Sequence, residues 1–310
     1  MKKILAIQAD PISEINLSTD TTLLLAYYAQ KKLYKIYWYQ TKNLSFERGN
    51  IYAVAEEIQF FENKNKFYKI IKKKKIKLSS CKFVLIRQNP PFNMDYIIST
   101  LYLDYLPKKT KVINNPTSIR NISEKFYSIN FTKFMPPTIF TRNINEIKNF
   151  YTKYKKIIIK PINGYAGKNI LFIDKKSKLS KLKKYLSIYG HVMVQKFLPN
   201  IKYGDKRVFI INGKVKGAIR RIPLKNSILS NISQGGKAFK TKLNKKEQYI
   251  STYLAKKLKS KQIFFAGIDL VDNYLIGDIN VTSPTGLPQY YKLTGKNLAK
   301  DFWDEAENLK

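Results

Sequence analysis

Four short apolar runs in the first 115 residues constrain this chain more than any other feature: KILAIQA (3–9), KIYWYQ (35–40), KFVLIRQ (82–88) and KVINN (111–115). Each has the length of one strand. Amphipathic stretches of helical period, TTLLLAYYAQKK and MDYIISTLYLDYL, stand among them. The loop DPISEINLSTD ahead of the first helix carries Ser, Thr and Asp that can cap it. A parallel crossover needs a helix to bring the chain back, so this alternation predicts an α/β unit with a doubly wound parallel sheet. Ligands of such sheets lie beyond the carboxyl ends of the strands. Arg87, Gln88 and Asn89 stand at such an end, just before PPF.

From about residue 116 the texture changes. NPTSIRNISEKFYSINF reads as a helix carrying Lys125, PPTIFTR as a strand and INEIKNFYTKY as another helix. In KKIIIKPINGYAGKNILFI (155–173) two strands flank a turn containing Gly164 and Gly167. That hairpin is either a plain turn or a loop whose N–H groups drape over phosphates while Lys160 points a charge inward. VMVQKFLP (192–199) is a strand, and GDKRVFII and KVKGAIRRI pair across Asn-Gly, the strongest two-residue hairpin signal in the chain. Period two sends Arg207 to one face and sends Arg220 and Arg221 to opposite faces, so one of that pair can enter a site. LKNSILSNISQGGKAFKTKLN lacks periodicity and suits a mobile lid. A helix (KEQYISTYLAKKL) and two strands (IFFAGIDLV and NYLIGDINV) follow.

Residue counts exclude several chemistries. The single histidine, His191, is expected as strand filler and the single cysteine, Cys81, as a buried thiol, which removes a His-based triad, a His/Cys zinc site and an internal disulfide. No apolar run is long enough for a membrane span, and the start MKKILAIQADP meets an acid and a proline too soon for a secretory signal, so a cytoplasmic location is expected. The formal net charge of +37 first suggests a nucleic-acid partner. The lysines, however, are spread over the whole chain; their one block, KIIKKKKIK (69–77), reads first as a solvated edge strand and only second as a polyanion patch. Seven of the 58 basic residues are Arg, so arginine here marks geometry that a lysine cannot copy.

GDINVTSPTG (277–286) alternates acid, apolar, amide and apolar before it breaks at Pro284. Strand periodicity puts Asp278 and Asn280 on one face, and Asp269 in the preceding strand can converge with them. Two carboxylates and an amide oxygen make a hard oxygen site suited to Mg²⁺ held jointly with phosphates. Surface acids near lysines are the equal alternative on spacing alone.

The set VLIRQNPPF, INNPTSIRNISEKFY, IIIKPINGYAGKNI, QKFLPNIKYGDKRVFIINGK, RRIP and GIDLVDNYLIGDINVTSPTG resembles, in order and over nearly the whole chain, the prokaryotic glutathione synthetases of the ATP-grasp superfamily. The resemblance implies an amino-terminal substrate domain (1–121), an ATP-grasp small subdomain (122–198) and a large subdomain (199–310) with the mobile loop 222–242, the two subdomains holding ATP between antiparallel sheets. It implies a ligase that joins γ-glutamylcysteine and glycine through an acyl phosphate, giving glutathione, ADP and phosphate. It assigns Lys125, Lys160, Gly164, Gly167, Gln195, Lys196, Phe197, Leu198 and Asp205 to ATP, with Asp205 on the ribose. Arg207 and Arg221 would brace the transferring groups, and Asp269, Asp278 and Asn280 would carry Mg²⁺ or Mn²⁺. Arg87, Asn280, Ser283 and Thr285 would grip peptide substrate. A homo-oligomer, a tetramer, is expected from the same source, with small-molecule substrates and neither membrane nor nucleic acid as partner.

The chain departs from that pattern in four places. Asp278 stands where Glu is usual, the hairpin between Asp269 and Asp278 is one residue longer, the lid is thinned to QGGKAFK, and Ala166 replaces a glycine of the phosphate loop. An active but weakened enzyme is the expectation. The alternatives are an ATP-grasp ligase for another amino acid or a peptide tail, and a basic nucleic-acid-binding protein that has lost catalysis.

Overall fold

The computed structural model describes residues 3–16, 19–62, 67–225 and 227–309. The first sheet uses β1 (Ile4–Gln8), α1 (Thr21–Lys31), β2 (Lys35–Tyr39), β3 (Leu44–Glu47), β4 (Asn50–Phe60), β5 (Tyr68–Lys77), β6 (Phe83–Ile86), α2 (Met94–Asp104), β7 (Lys111–Ile113) and α3 (Pro116–Asn121). Asp20, Asn93 and Asn115 cap α1, α2 and α3 with side-chain oxygens that accept from Leu23, Tyr96 and Ser118 N–H groups. Strands β2, β1, β6 and β7 are parallel neighbours, as the alternation predicts. The sheet as a whole is mixed, because β3 and β4, which carry no clean apolar period, form an antiparallel extension on β2, and β5 pairs with the far side of β4. The lysine block is therefore the sheet's outer edge strand, where unpaired backbone is shielded from association by charge. Glu47 and Glu57 answer Lys75 and Lys72 at 2.5 and 3.9 Å.

The second sheet, order β10-β9-β11-β8, comes from β8 (Thr138–Thr141), α4 (Ile144–Tyr154), β9 (Ile157–Pro161), β10 (Leu171–Ile173), α5 (Leu182–Tyr189) and β11 (Val192–Lys196). Ile147, Ile157, Ile159, Leu182, Val192 and Val194 give it a core of its own. His191 is exposed in the turn ahead of β11, not inside a strand, because the strand's buried alternation begins only at Val192.

The third sheet, order β14-β13-β12-β15-β16, is built from β12 (Asp205–Ile211), β13 (Lys214–Ile222), β14 (Lys237–Lys240), α6 (Lys245–Ser260), β15 (Phe265–Val271) and β16 (Tyr274–Asn280), closed by α7 (Leu287–Thr294) and α8 (Leu298–Glu307). Both residues of the Asn212-Gly213 turn have positive φ, as a tight antiparallel turn requires. Asn244 and Glu247 cap α6 reciprocally. This sheet shares its cores with the first: Leu5, Ile7 and Phe83 lie in one cluster with Phe209, Phe265 and Trp303, and Met193 of the second sheet joins Ala6 and Val208 in another. Buried Asn114 closes the junction. Its amide donates to the Phe265 and Val281 carbonyls and its oxygen accepts from the Phe264 and Phe265 N–H groups, all at 2.7–2.8 Å.

Candidate functional site

Between the second and third sheets lies a solvent-open cleft of about 940 Å³. Lys160, on β9, donates from Nζ to the Ile276 carbonyl at 2.8 Å and to Asp278 Oδ2 at 3.1 Å. Lys125 donates to the Gly164 carbonyl and lies 3.4 Å from Asp278 Oδ1. It sits in a turn between α3 and the 3-10 segment Phe126–Phe134, not in the expected helix, because the chain leaves helical geometry at Ile122 and residue 124 is drawn toward β16.

The longer hairpin between Asp269 and Asp278 has a physical form. The β15–β16 register runs Leu270 to Leu275 and then Ile268 to Ile279, so extra residues around Ile276–Asp278 bulge opposite Asp269. Gly277 sits in the bulge at φ +85°, and a Cβ there would lie 2.5 Å from Met193 Cε. The bulge leaves the Ile276 carbonyl to Lys160. Asp278 and Asn280 remain two apart on one face. The Asn280 amide donates to the Gly267 carbonyl at 3.2 Å, which leaves its Oδ1 as the open acceptor.

Beneath the cleft runs a buried chain of alternating charge. Arg207 donates to Asp269 through Nε at 2.5 Å and Nη2 at 3.0 Å; Arg221 Nη2 stands 3.0 Å from Asp269 Oδ1, and Arg221 forks onto Asp205 through Nε at 2.7 Å and Nη2 at 2.5 Å. All four side chains are at least nine-tenths buried. Burial raises the Asp269 pKa, but Arg207 and Arg221 outweigh it and hold the carboxyl below its ordinary range. Burial acts against the charge of Asp278 in the same way, and Lys160 and then Lys125 hold it well below that range. Arg221 is the member of the 220/221 pair that turns inward; Arg220 is exposed.

Of the residues singled out in the sequence, Lys125, Lys160, Gly164, Gly167, Gln195, Lys196, Phe197, Leu198, Asp205, Arg207, Asp269, Asp278 and Asn280 all line this cleft. Arg221 does not line it; it lies behind Asp205 and Asp269. Arg87, Ser283 and Thr285 come together elsewhere, at the junction of the first and third sheets. Arg87 donates to Thr22 Oγ1 and the Pro284 carbonyl, Ser283 Oγ donates to the Arg87 carbonyl at 3.2 Å, and exposed Thr285 offers its carbonyl to Arg207 at 3.4 Å. Arg87 Nη1 is buried without a hydrogen-bond partner, and burial lowers this guanidinium to about 10. Cys81 is buried, and burial pushes its thiol up to about 12.

The predicted lid segment 222–242, of which residue 226 lies outside the described residues, folds over the cleft. Ile228, Leu229, Ser230 and Asn231 line it, and Ser230 Oγ donates to Asp205 Oδ2 at 2.6 Å. Residues 237–240 are strand β14 and not lid, because their edge pairing to β13 replaces the periodicity they lack. Sequence reasoning missed Glu124 and Ser230, whose partners lie 157 and 25 residues away, beyond any local signal.

The oxygens suit a hard divalent cation. Among the described residues no three His, Cys, Asp or Glu side chains are grouped to hold a metal ion; the hard oxygens that line the cleft include those of Asp269, Asp278 and Asn280. Each carboxylate is already held by cations of the kind that bind phosphates.

Family models for the prokaryotic glutathione synthetase N-terminal domain and ATP-grasp domain match residues 3–120 and 124–295. A glutathione synthetase of Rhodopseudomonas palustris is 33% identical over 310 residues, 97% of each chain. One from Buchnera aphidicola subsp. Baizongia pistaciae is 35% identical over 315 residues, 99% of this chain and 96% of its own. Among solved structures, D-cycloserine synthetase DcsG matches with TM-score 0.69 at 12% identity, covering 99% of this chain and all of its own. D-alanyl-alanine synthetase A of Vibrio cholerae matches with TM-score 0.64 at 14% identity, covering 98% and 96%. At such identities the structural likeness establishes the ATP-grasp fold alone.

Proposed function

The chain belongs to the prokaryotic glutathione synthetase family, and on that premise we propose how its residues divide the work of an ATP-dependent ligase that joins γ-glutamylcysteine to glycine and releases ADP and phosphate. The observation that carries the assignment is the facing of Lys125 and Lys160 against Asp278 across one cleft, at 3.4 and 3.1 Å. Acids and cations that neutralise one another there can exchange partners for a metal–nucleotide pair without leaving a charge uncompensated.

Lys125 and Lys160 hold the ATP phosphates, with the loop of Gly164 and Gly167 closing over them. Gln195 through Leu198 meet the adenine, and Asp205 meets the ribose after releasing Ser230. Asp269, Asp278 and Asn280 would hold Mg²⁺, or Mn²⁺ as the alternative, which when bound would supply neutralisation of phosphate charge. Arg207, on the cleft wall, steadies the transferring phosphoryl group and the acyl phosphate of the cysteinyl carboxyl. Arg221 acts from behind by orienting Asp205 and Asp269 and, with Arg207, keeping Asp269 ionised. Arg87, with its unpartnered Nη1, and the Ser283–Thr285 turn, with Asn280 beside it, grip the dipeptide. No protein nucleophile is required; positioning and exclusion of water carry the reaction. The part of the loop that lines the cleft, residues 228–231, protects the acyl phosphate.

The units 1–121, 122–198 and 199–310 are the corresponding substrate domain and ATP-grasp halves, a reading supported by the separate core of the second sheet. No described helix is long and apolar enough to cross a membrane. A cytoplasmic, tetrameric enzyme remains the proposal, and light scattering tests its assembly. Mass analysis of products formed with ATP, Mg²⁺, γ-glutamylcysteine and glycine tests the function itself. Glutathione with stoichiometric ADP is expected; no ADP release would refute it, and product only with another amine or a peptide tail would reassign the substrate.

A further inference from the structure

We propose that Glu124 is a positioning residue that sets the end of β16 and, through it, Asp278 and Asn280. β16 is an edge strand: β15 pairs one side, and among the described residues no strand covers the other. On an antiparallel strand, N–H groups two residues apart point the same way. The outward groups of Ile279 and Val281 would face open cleft. Glu124 takes both. Its backbone carbonyl accepts from Ile279 N at 2.9 Å and its Oε1 accepts from Val281 N at 3.0 Å, so one residue stands in for one repeat of a missing strand and brackets Asn280 from both sides.

The same Oε1 also accepts from Thr282 N at 3.1 Å and Thr282 Oγ1 at 2.8 Å, which fixes where the strand turns toward Ser283. The neighbouring Lys125 meanwhile contacts Asp278 and the Gly164 carbonyl. Two consecutive residues thus tie the metal strand to the phosphate loop. An oxygen with three donors holds its ligand strand as outer-shell partners hold metal ligands elsewhere. The charge of Glu124 is not what the clamp uses; a single oxygen acceptor in that place is.

The inference rests on the reading that Asp278 and Asn280 carry the metal, and the test separates the two. Binding of the non-hydrolysable analogue AMPPNP is measured by calorimetry on the full chain, with Mn²⁺ and with EDTA, alongside Mn²⁺ paramagnetic resonance and thermal melts. Glu124→Ala is expected to weaken Mn²⁺–AMPPNP binding by about 10- to 100-fold and to leave binding in EDTA nearly unchanged. Glu124→Gln, which keeps one oxygen for the three donors, is expected to stay within about threefold of wild type. Wild-type affinity in a folded Glu124→Ala protein overturns the proposal, as does a Glu124→Gln as impaired as the alanine variant. If Glu124→Ala does not fold, Glu124→Asp, which draws the oxygen back from its three donors, takes its place: metal-dependent weakening is expected, and wild-type affinity overturns the proposal. Asp278→Asn is the control: if it binds Mn²⁺–AMPPNP as wild type does, the metal reading fails and the clamp loses its object.

Discussion

Replacing Arg221 with Met tests whether this residue works on the reaction or on the acids beneath it. The side chain makes two bonds to Asp205, at 2.7 and 2.5 Å, and lies 3.0 Å from Asp269. Without it, Asp205 is left with the Ser230 hydroxyl and Asp269 keeps Arg207 as one of its two cations. Removing one partner of a buried pair costs about 3–5 kcal/mol because a charge is left uncompensated. Unfolding entropy of about 2.1 cal/mol/K per residue sums to about 0.65 kcal/mol/K over 310 residues, so the melting temperature should fall by about 5–8 °C. The deficit should be pH-dependent. In the wild type Asp269 ionises below the ordinary carboxylate range, so its contribution is complete above that range and drains as pH falls. In the variant, burial without Arg221 raises the folded pKa, and proton uptake relieves the orphaned acid. Calorimetry should therefore show the gap narrowing from about pH 7 to about pH 4. Arg221→Lys, which restores charge without the planar fork, should recover only part of the loss. Melting within about 1 °C of wild type together with collapsed turnover would refute this and put Arg221 on the phosphoryl group.

Lys160→Met removes a charge-assisted contact to phosphate worth about 1.5–3 kcal/mol, so ATP affinity by calorimetry should drop roughly 10- to 150-fold; an unchanged affinity would move the phosphates away from β9. Asp278 has a folded pKa lowered from 3.8, so its stabilisation is present above about pH 4 and is lost as pH falls below it. Melting curves of wild type and Asp278→Asn should accordingly differ at neutral pH and converge in acid, and a constant difference would rule the linkage out. Ala166 sits at φ +52° in the phosphate loop, a strain of about 1–2 kcal/mol that glycine would relieve at about 0.4–1 kcal/mol of chain entropy. Ala166→Gly should therefore slow amide exchange across 162–170; faster exchange would count against the strain.

The amino-acid order alone carried most of the elements, and thirteen of the residues singled out from it line the cleft. Strand runs such as KFVLIRQ and IFFAGIDLV and the Asn-Gly turn at 212–213 are decided by neighbours a few residues apart, so local pattern suffices to read them. The same alternation determined that one of Arg220 and Arg221 turns inward, and that Asp278 shares a face with Asn280. It did not reveal β3, β4 or β14, whose pairing depends on partner strands and not on their own period.

Tertiary structure decided what each charged side chain touches. Arg221 was readable as an inward residue, but only the packing of β12 against β13 and β15 put it behind Asp205 and Asp269 and away from the cleft wall. Ser230 on Asp205 and Glu124 at the free edge of β16 likewise depend on surfaces that meet only once the sheets are stacked. A repeating backbone dictates direction over one or two residues. The choice of partner is settled by where distant segments are brought to lie, and no local rule holds that information.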